Sequence, residues 1–202
     1  MITVIMLDIG GVVLDTEKSF RAIYEDFGKK IGLPPGKSEE FHERYIARML
    51  SGKMSARQFF RVLRKKFLLR EKERELMDLW VGVAVRRSKV NKQLLRVLAR
   101  LQKTANIVAL SNITEMRMAV DERLGIYHYF DRLFLSCQLG MRKPHKRIYR
   151  YALKHLKVRP EQVLFIDDKE ANVAAARELG MNTIRFTGDA TLFGELRRLD
   201  LL

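Results

Sequence analysis

Three short runs of the chain are apolar without interruption and then stop on polar side chains: ITVIMLD (2–8), ANIVALSN (105–112) and EQVLFIDD (161–168). Unbroken apolar strands, lacking the alternation of a half-exposed sheet, are the pattern of a parallel sheet covered on both faces. RLFLSCQ (132–138) and NTIRF (182–186) predict further strands. Amphipathic segments lie between them. NKQLLRVLARLQK (91–103) gathers Leu94, Leu95, Leu98 and Leu101 on one face, and KPHKRIYRYALKHL (143–156) predicts a helix with Pro144 in its first turn. KEANVAAAREL (169–179) is alanine-rich and is followed by Gly180, a C-terminal cap. Strand and helix alternate, which makes the fold class α/β, a doubly wound Rossmann-like parallel sheet.

Residues 17–86 break this rhythm, with helical periodicity and no convincing strand. SARQFF (55–60) offers a Ser-x-x-Gln capping box for one helix, and GLPPGK (32–37) reads as a loop. The expected organisation is a Rossmann-like core formed by residues 1–16 and 87–202, with 17–86 as an inserted α-helical cap. Leaving just after the first strand, such an insertion would stand over the sheet's polar rim.

Composition narrows the class. The 202 residues are 47% hydrophobic and 31% charged, enough for one full core with a modest insertion. The opening apolar run is cut short by Asp8, too early for a signal peptide or a membrane span, so no membrane partner is expected. A single cysteine, Cys137, excludes an intrachain disulfide, and a cytoplasmic location fits. The net charge of +15 invites a nucleic-acid reading. Yet the densest basic stretch, RVLRKKFLLREK (61–72), interleaves Val62, Leu63, Phe67, Leu68 and Leu69 at helical spacing, the pattern of a solvated face opposite a packed one. Attraction of small anionic substrates explains the charge more simply than nucleic acid does. No feature of the sequence reports an oligomeric state.

Ligands of open parallel sheets sit at the carboxyl ends of the strands. That places Asp8, Ser111, Asp167 and Asp168 on one rim, joined by Lys143 from GMRKPHKRIY (140–149). Clustered carboxylates favour a hard cation such as Mg²⁺. An aspartate attacking a phosphate monoester is an anion approaching a dianion, and a cation with a lysine offsets that repulsion. Each residue also has a plain alternative. Ser111 and Asn112 would cap the next helix, Lys143 would be a surface lysine, and Asp167 with Asp168 would be a charge pair favoured by a helix dipole. The four histidines, His42, His128, His145 and His155, have no metal-ligand spacing and are assigned no chemistry.

Four ordered motifs, DIGGVV (8–13), LSN (110–112), GMRKP (140–144) and FIDDKEANVAAARELGM (165–181), resemble the haloacid-dehalogenase-like hydrolases, in the branch whose helical cap follows the first motif. Their wording is most similar to α-D-glucose-1-phosphate phosphatases and epoxide-hydrolase N-terminal domains. The resemblance implies a Mg²⁺-dependent phosphatase acting on a small phosphorylated substrate, such as a sugar phosphate. It makes Asp8 the nucleophile; Ser111, Asn112 and Lys143 the phosphoryl-binding residues; Asp8, the Gly10 carbonyl, Asp167 and Asp168 the metal ligands; and Asn172 a supporting residue. Most phosphatases of that superfamily carry a second aspartate where this chain has Gly10, which favours leaving groups that need little protonation. Two other functions compete with this reading. A 2-haloacid dehalogenase also uses an aspartate nucleophile but needs no cation, which the paired Asp167 and Asp168 argue against. A catalytically weakened binding protein is the other.

Overall fold

The computed structural model describes residues 1–15 and 17–202. In chain order the elements are β1 (Val4–Leu7), β2 (Leu14–Asp15), α1 (Glu17–Lys30), α2 (Lys37–Leu50), α3 (Ala56–Phe67), α4 (Glu73–Arg87), β3 (Lys89–Val90) and α5 (Lys92–Leu101). Then follow β4 (Asn106–Ser111), α6 (Glu115–Arg123), β5 (Arg132–Leu135), the single turn α7 (Ser136–Leu139), α8 (Lys146–Leu156), β6 (Val163–Asp167), α9 (Glu170–Arg177), β7 (Asn182–Arg185) and α10 (Asp189–Arg198).

Five strands form one parallel sheet in the order β5-β4-β1-β6-β7. The central strands are apolar on both sides because both sides are covered. Ile5, Leu7, Ile107, Ala109, Leu164 and Ile166 face a core shared with the leucines of α5 and with Leu192, Phe193 and Leu196 of α10. Their neighbours Val4, Met6, Val108, Leu110, Val163 and Phe165 face the opposite core, against Ile148, Tyr149 and Ala152 of α8 and Ala175 and Ala176 of α9. Burying each such side chain contributes roughly 1.5–3 kcal/mol, so both layers are needed. From β1 the chain crosses to β4 and β5 on one side and then to β6 and β7 on the other. The switch point, where such sheets bind ligands, therefore lies at the end of β1 between β4 and β6.

α1 to α4 enclose a separate core of Ile23, Tyr24, Phe27, Phe41, Phe59, Phe60 and Trp80, which is completed by Met116 and Val120 of α6. The Ser55 capping box of α3 forms in both directions. The Ala56 N–H of the same helix donates to Glu115 Oε2 at 2.7 Å, tying α3 to the start of α6. The chain leaves and re-enters this helical segment through β2 and β3, which pair antiparallel.

Three details depart from the sequence reading. RLFLSCQ is a strand only as far as Leu135; Ser136 begins a helical turn and is fully buried, its hydroxyl accepting from Ile113 N–H at 2.9 Å. The helix expected from residue 143 begins at Lys146, so Pro144 precedes the first turn instead of occupying it. Nothing in the sequence announces the β2/β3 pair, because two-residue strands have no periodicity to read. Among the described residues no helix is long and apolar enough to cross a membrane.

Candidate active site

The switch point brings the predicted residues together. Asp8 follows β1, Ser111 ends β4, Asp167 ends β6 with Asp168 next to it, and Lys143 reaches in from the segment before α8. The Lys143 ammonium, with its side chain wholly buried, lies 3.0 Å from Asp8 Oδ2 and 2.6 Å from Asp167 Oδ2. It is not a surface lysine. Asn112 holds it by a reciprocal pair: the Lys143 N–H donates to Asn112 Oδ1 and Asn112 Nδ2 donates to the Lys143 carbonyl, both at 2.8 Å. A flexible side chain is thereby anchored at its base and clamped at its tip.

Asp8 is nearly buried at 6% exposure, and its Oδ1 accepts from the Ser111 hydroxyl at 2.8 Å and the Ile9 N–H at 2.7 Å. Ser111 therefore serves the carboxylate and does not cap α6; that cap is Thr114, which accepts from Arg117 N–H. Burial raises the Asp8 pKa above the ordinary carboxylate value, the Lys143 charge pulls it back, and the Asp167 charge raises it again.

Asp167 is fully enclosed. Asn172 Nδ2 donates to its two oxygens at 2.9 and 3.0 Å, the Lys169 N–H reaches Oδ1 at 2.9 Å, and Lys143 takes Oδ2. Asn172 is itself held through its carbonyl, which accepts from Tyr149 OH at 3.0 Å. Asp168 is different: its buried Oδ1 has no partner among the described residues. Burial, with Asp8 and Asp167 nearby, pushes its pKa up to about 6.

Asp8, Asp167 and Asp168 can each bring one oxygen within 4.8 Å of the others. Three carboxylates against one ammonium leave this cluster short of positive charge, and the orphaned Asp168 oxygen marks where the shortfall falls. An all-oxygen donor set of this kind fits a hard divalent cation. Gly10 sits in the turn beside Asp8 and lines the same cavity. Its neighbour Gly11 has φ +82°, and a Cβ there would run into the Asp168 carboxylate, so a glycine is required for two reasons.

Over the rim stands a cavity of about 270 Å³, reaching from Asp8, Ser111 and Asp168 to α1, α2 and α4. Its floor is the polar cluster, and its walls are Phe20, Ile23, Tyr24, Ile46, Leu50 and Trp80, with His42, Arg117 and Asp121 also in its lining. The sequence reading singled out none of these wall residues. His42, assigned no chemistry from the sequence, lies in the wall, and burial lowers its pKa to about 4, keeping it neutral.

A family model described as haloacid dehalogenase-like hydrolase matches residues 2–180. The chain belongs to that family. Over 195 residues, 92% of either chain, it is 29% identical to a D-ribitol-5-phosphate phosphatase of Bacteroides thetaiotaomicron. Bifunctional epoxide hydrolase 2 of Rattus norvegicus is 42% identical over 71 residues, which are 35% of this chain but only 13% of that protein. Among solved structures, a HAD family enzyme from Bacteroides thetaiotaomicron, in complex with magnesium and inorganic phosphate, superposes with a TM-score of 0.78. It covers 96% of this chain and 99% of its own at 21% identity, a likeness of fold. The family resemblance drawn from the four motifs, and the parallel α/β core expected with it, therefore hold.

Proposed function

We propose that this family member is a Mg²⁺-dependent phosphatase that hydrolyses a small phosphorylated metabolite through an aspartyl-phosphate on Asp8. The observation that carries the reading is the environment of Asp8: a carboxylate at the sheet's switch point, fixed by Ser111 and Lys143, beside an Asp168 oxygen that is buried and unpartnered. The ribitol-phosphate phosphatase relative and the magnesium and phosphate of the solved neighbour support it.

In this mechanism an Asp8 oxygen forms a bond to phosphorus as the ester P–O bond breaks, and the departing oxygen takes a proton from solvent water. Lys143 and Ser111 then hold the phosphoryl oxygens, and Asp167 with Asn112 keeps the ammonium in place. Water adds to phosphorus and gives a proton to solvent, the Asp8–phosphorus bond breaks, and inorganic phosphate leaves with the carboxylate restored. Asp168, Asp8 and Asp167, with the Gly10 carbonyl, would hold Mg²⁺, and Asp167 also orients Lys143. Bound there, the cation would neutralise the dianion's charge and lessen its repulsion of Asp8. The inserted helices 17–86 act as the cap that bounds the leaving-group side.

The test is hydrolysis of p-nitrophenyl phosphate with Mg²⁺, with EDTA stopping turnover. Asp8→Asn, nearly isosteric but a poor nucleophile, should lower kcat by more than about 10³-fold with an unchanged circular dichroism spectrum. Activity near wild type in that variant would remove Asp8 from the mechanism.

A further inference from the structure

The cavity places two unlike chemistries end to end. At the floor every group that would meet a phosphate is charged or polar. Beyond it, where the leaving group must sit, α1, α2 and α4 present hydrocarbon and aromatic rings. Phe20, Tyr24 and His42 pack together with centroids 4.6 to 5.2 Å apart, and Trp80 lies 6.0 Å from Tyr24. His42 adds no charge to this wall, since burial keeps it neutral at ordinary pH.

Part of the polar set in the upper cavity is paired internally. The Thr114 hydroxyl accepts from Arg117 N–H at 3.3 Å, and Arg117 Nε donates to Asp121 Oδ1 at 3.0 Å. Among the described residues that leaves His42 Nδ1, Trp80 Nε1 and Asp121 Oδ2 as buried atoms of these walls without partners. A polyol would bring a hydroxyl on nearly every carbon, and each one buried without a partner weakens binding. A hydrocarbon body would meet the walls it finds.

Resting on the phosphatase reading, we infer that the substrate is a phosphate monoester of a predominantly apolar alcohol, its hydrocarbon body held among Phe20, Tyr24, Ile46, Leu50 and Trp80, and is not a polyol or sugar phosphate.

The comparison that decides it uses esters whose reacting oxygen is the same kind of primary alkyl oxygen, so that reactivity does not masquerade as recognition. With Mg²⁺ present, kcat/KM is measured for 2-phenylethyl phosphate and for ribitol 5-phosphate. The expected preference for the phenylethyl ester is roughly 10- to 100-fold, the scale at which a hydrophobic pocket discriminates. Leu50→Gln, at a half-buried wall position, should cut that preference to about a tenth; Ile46→Asn, also half-buried, is the second variant should the first fail to fold. Equal or better hydrolysis of the ribitol ester, or a preference untouched in both folded variants, would overturn the inference and leave the phosphatase reading standing. Failure to hydrolyse any monoester, p-nitrophenyl phosphate included, would overturn both.

Discussion

Replacing Asp121 with asparagine should make the protein more stable at alkaline pH than at acid pH, relative to wild type. Asp121 lies on α6, is fully buried, and has one oxygen on Arg117 Nε and the other without a partner among the described residues. Burial is the main cause that moves its pKa from 3.8 up to about 7; Arg117 opposes the rise and the Asp8 charge adds to it. A carboxyl group raised in this way binds a proton more tightly folded than unfolded. Its contribution to stability is thus complete below the unfolded value and is lost as pH climbs toward the folded one. Across that window each pH step of one is worth about 1.4 kcal/mol, so the wild type should lose roughly 2–3 kcal/mol from this one group between pH 5 and pH 8. Asparagine does not titrate, and its carbonyl oxygen can still accept from Arg117, so any packing cost it carries is the same at both pH values. Urea unfolding of both proteins at pH 5 and pH 8, in EDTA and at constant ionic strength, yields the difference directly. The gap between variant and wild type should move by about 2–3 kcal/mol in the variant's favour. A gap that stays constant within error would show that Asp121 ionises normally in the fold, and that its burial is relieved by water or by Arg117.

Two further outcomes test the site's construction. Lys143→Met keeps the volume but leaves Asp8 and Asp167 facing each other in a buried space, and should destabilise the metal-free protein by about 3–5 kcal/mol in urea unfolding at neutral pH; a loss below about 1 kcal/mol would mean that the ammonium is dispensable to the fold. Gly11→Ala should cost on the order of 1–2 kcal/mol from its left-handed backbone alone. It should also weaken Mg²⁺ binding by calorimetry, because the added methyl displaces the Asp168 carboxylate; unchanged affinity would take Asp168 out of the metal set.

How much of this could be read from residues alone depended on whether the information was local. β1, β4 and β6 were plain because strands covered on both faces must be apolar throughout, and their polar termini named Asp8, Ser111, Asp167 and Asp168. Lys143 was located by its motif, but nothing local announces that it is buried between two carboxylates. The walls of the cavity were illegible for a different reason. Phe20, Tyr24, Ile46, Leu50 and Trp80 belong to amphipathic helices whose apolar faces both fill the core around Phe59 and Phe60 and line the cavity. Periodicity assigns a residue to the apolar face; only tertiary packing divides that face between core and ligand. Arg117 and Asp121 form an i,i+4 pair of the kind usually found on exposed helices, and their burial follows from the helices of 17–86 packing over α6.

The charge of the chain and the charge of its site point in opposite directions, and the two work at different ranges. Overall the protein carries +15, yet the rim holds three carboxylates around one buried ammonium. Exposed charges are screened within about 8 Å at physiological ionic strength, so the distant surface lysines and arginines cannot neutralise the cluster. What they can do is raise the local concentration of anions around the molecule. Discrimination then falls to the few charges at the cavity itself, where Arg117 and Lys169 stand at the walls and Lys143 lies at the floor beside Asp8. With one equivalent of a divalent cation, the three carboxylates and Lys143 sum to neutral, and a phosphate dianion can then enter without meeting a net negative site. The buried, unpartnered oxygen of Asp168 is thus the expected consequence of a site whose charge closes only when the cation is present.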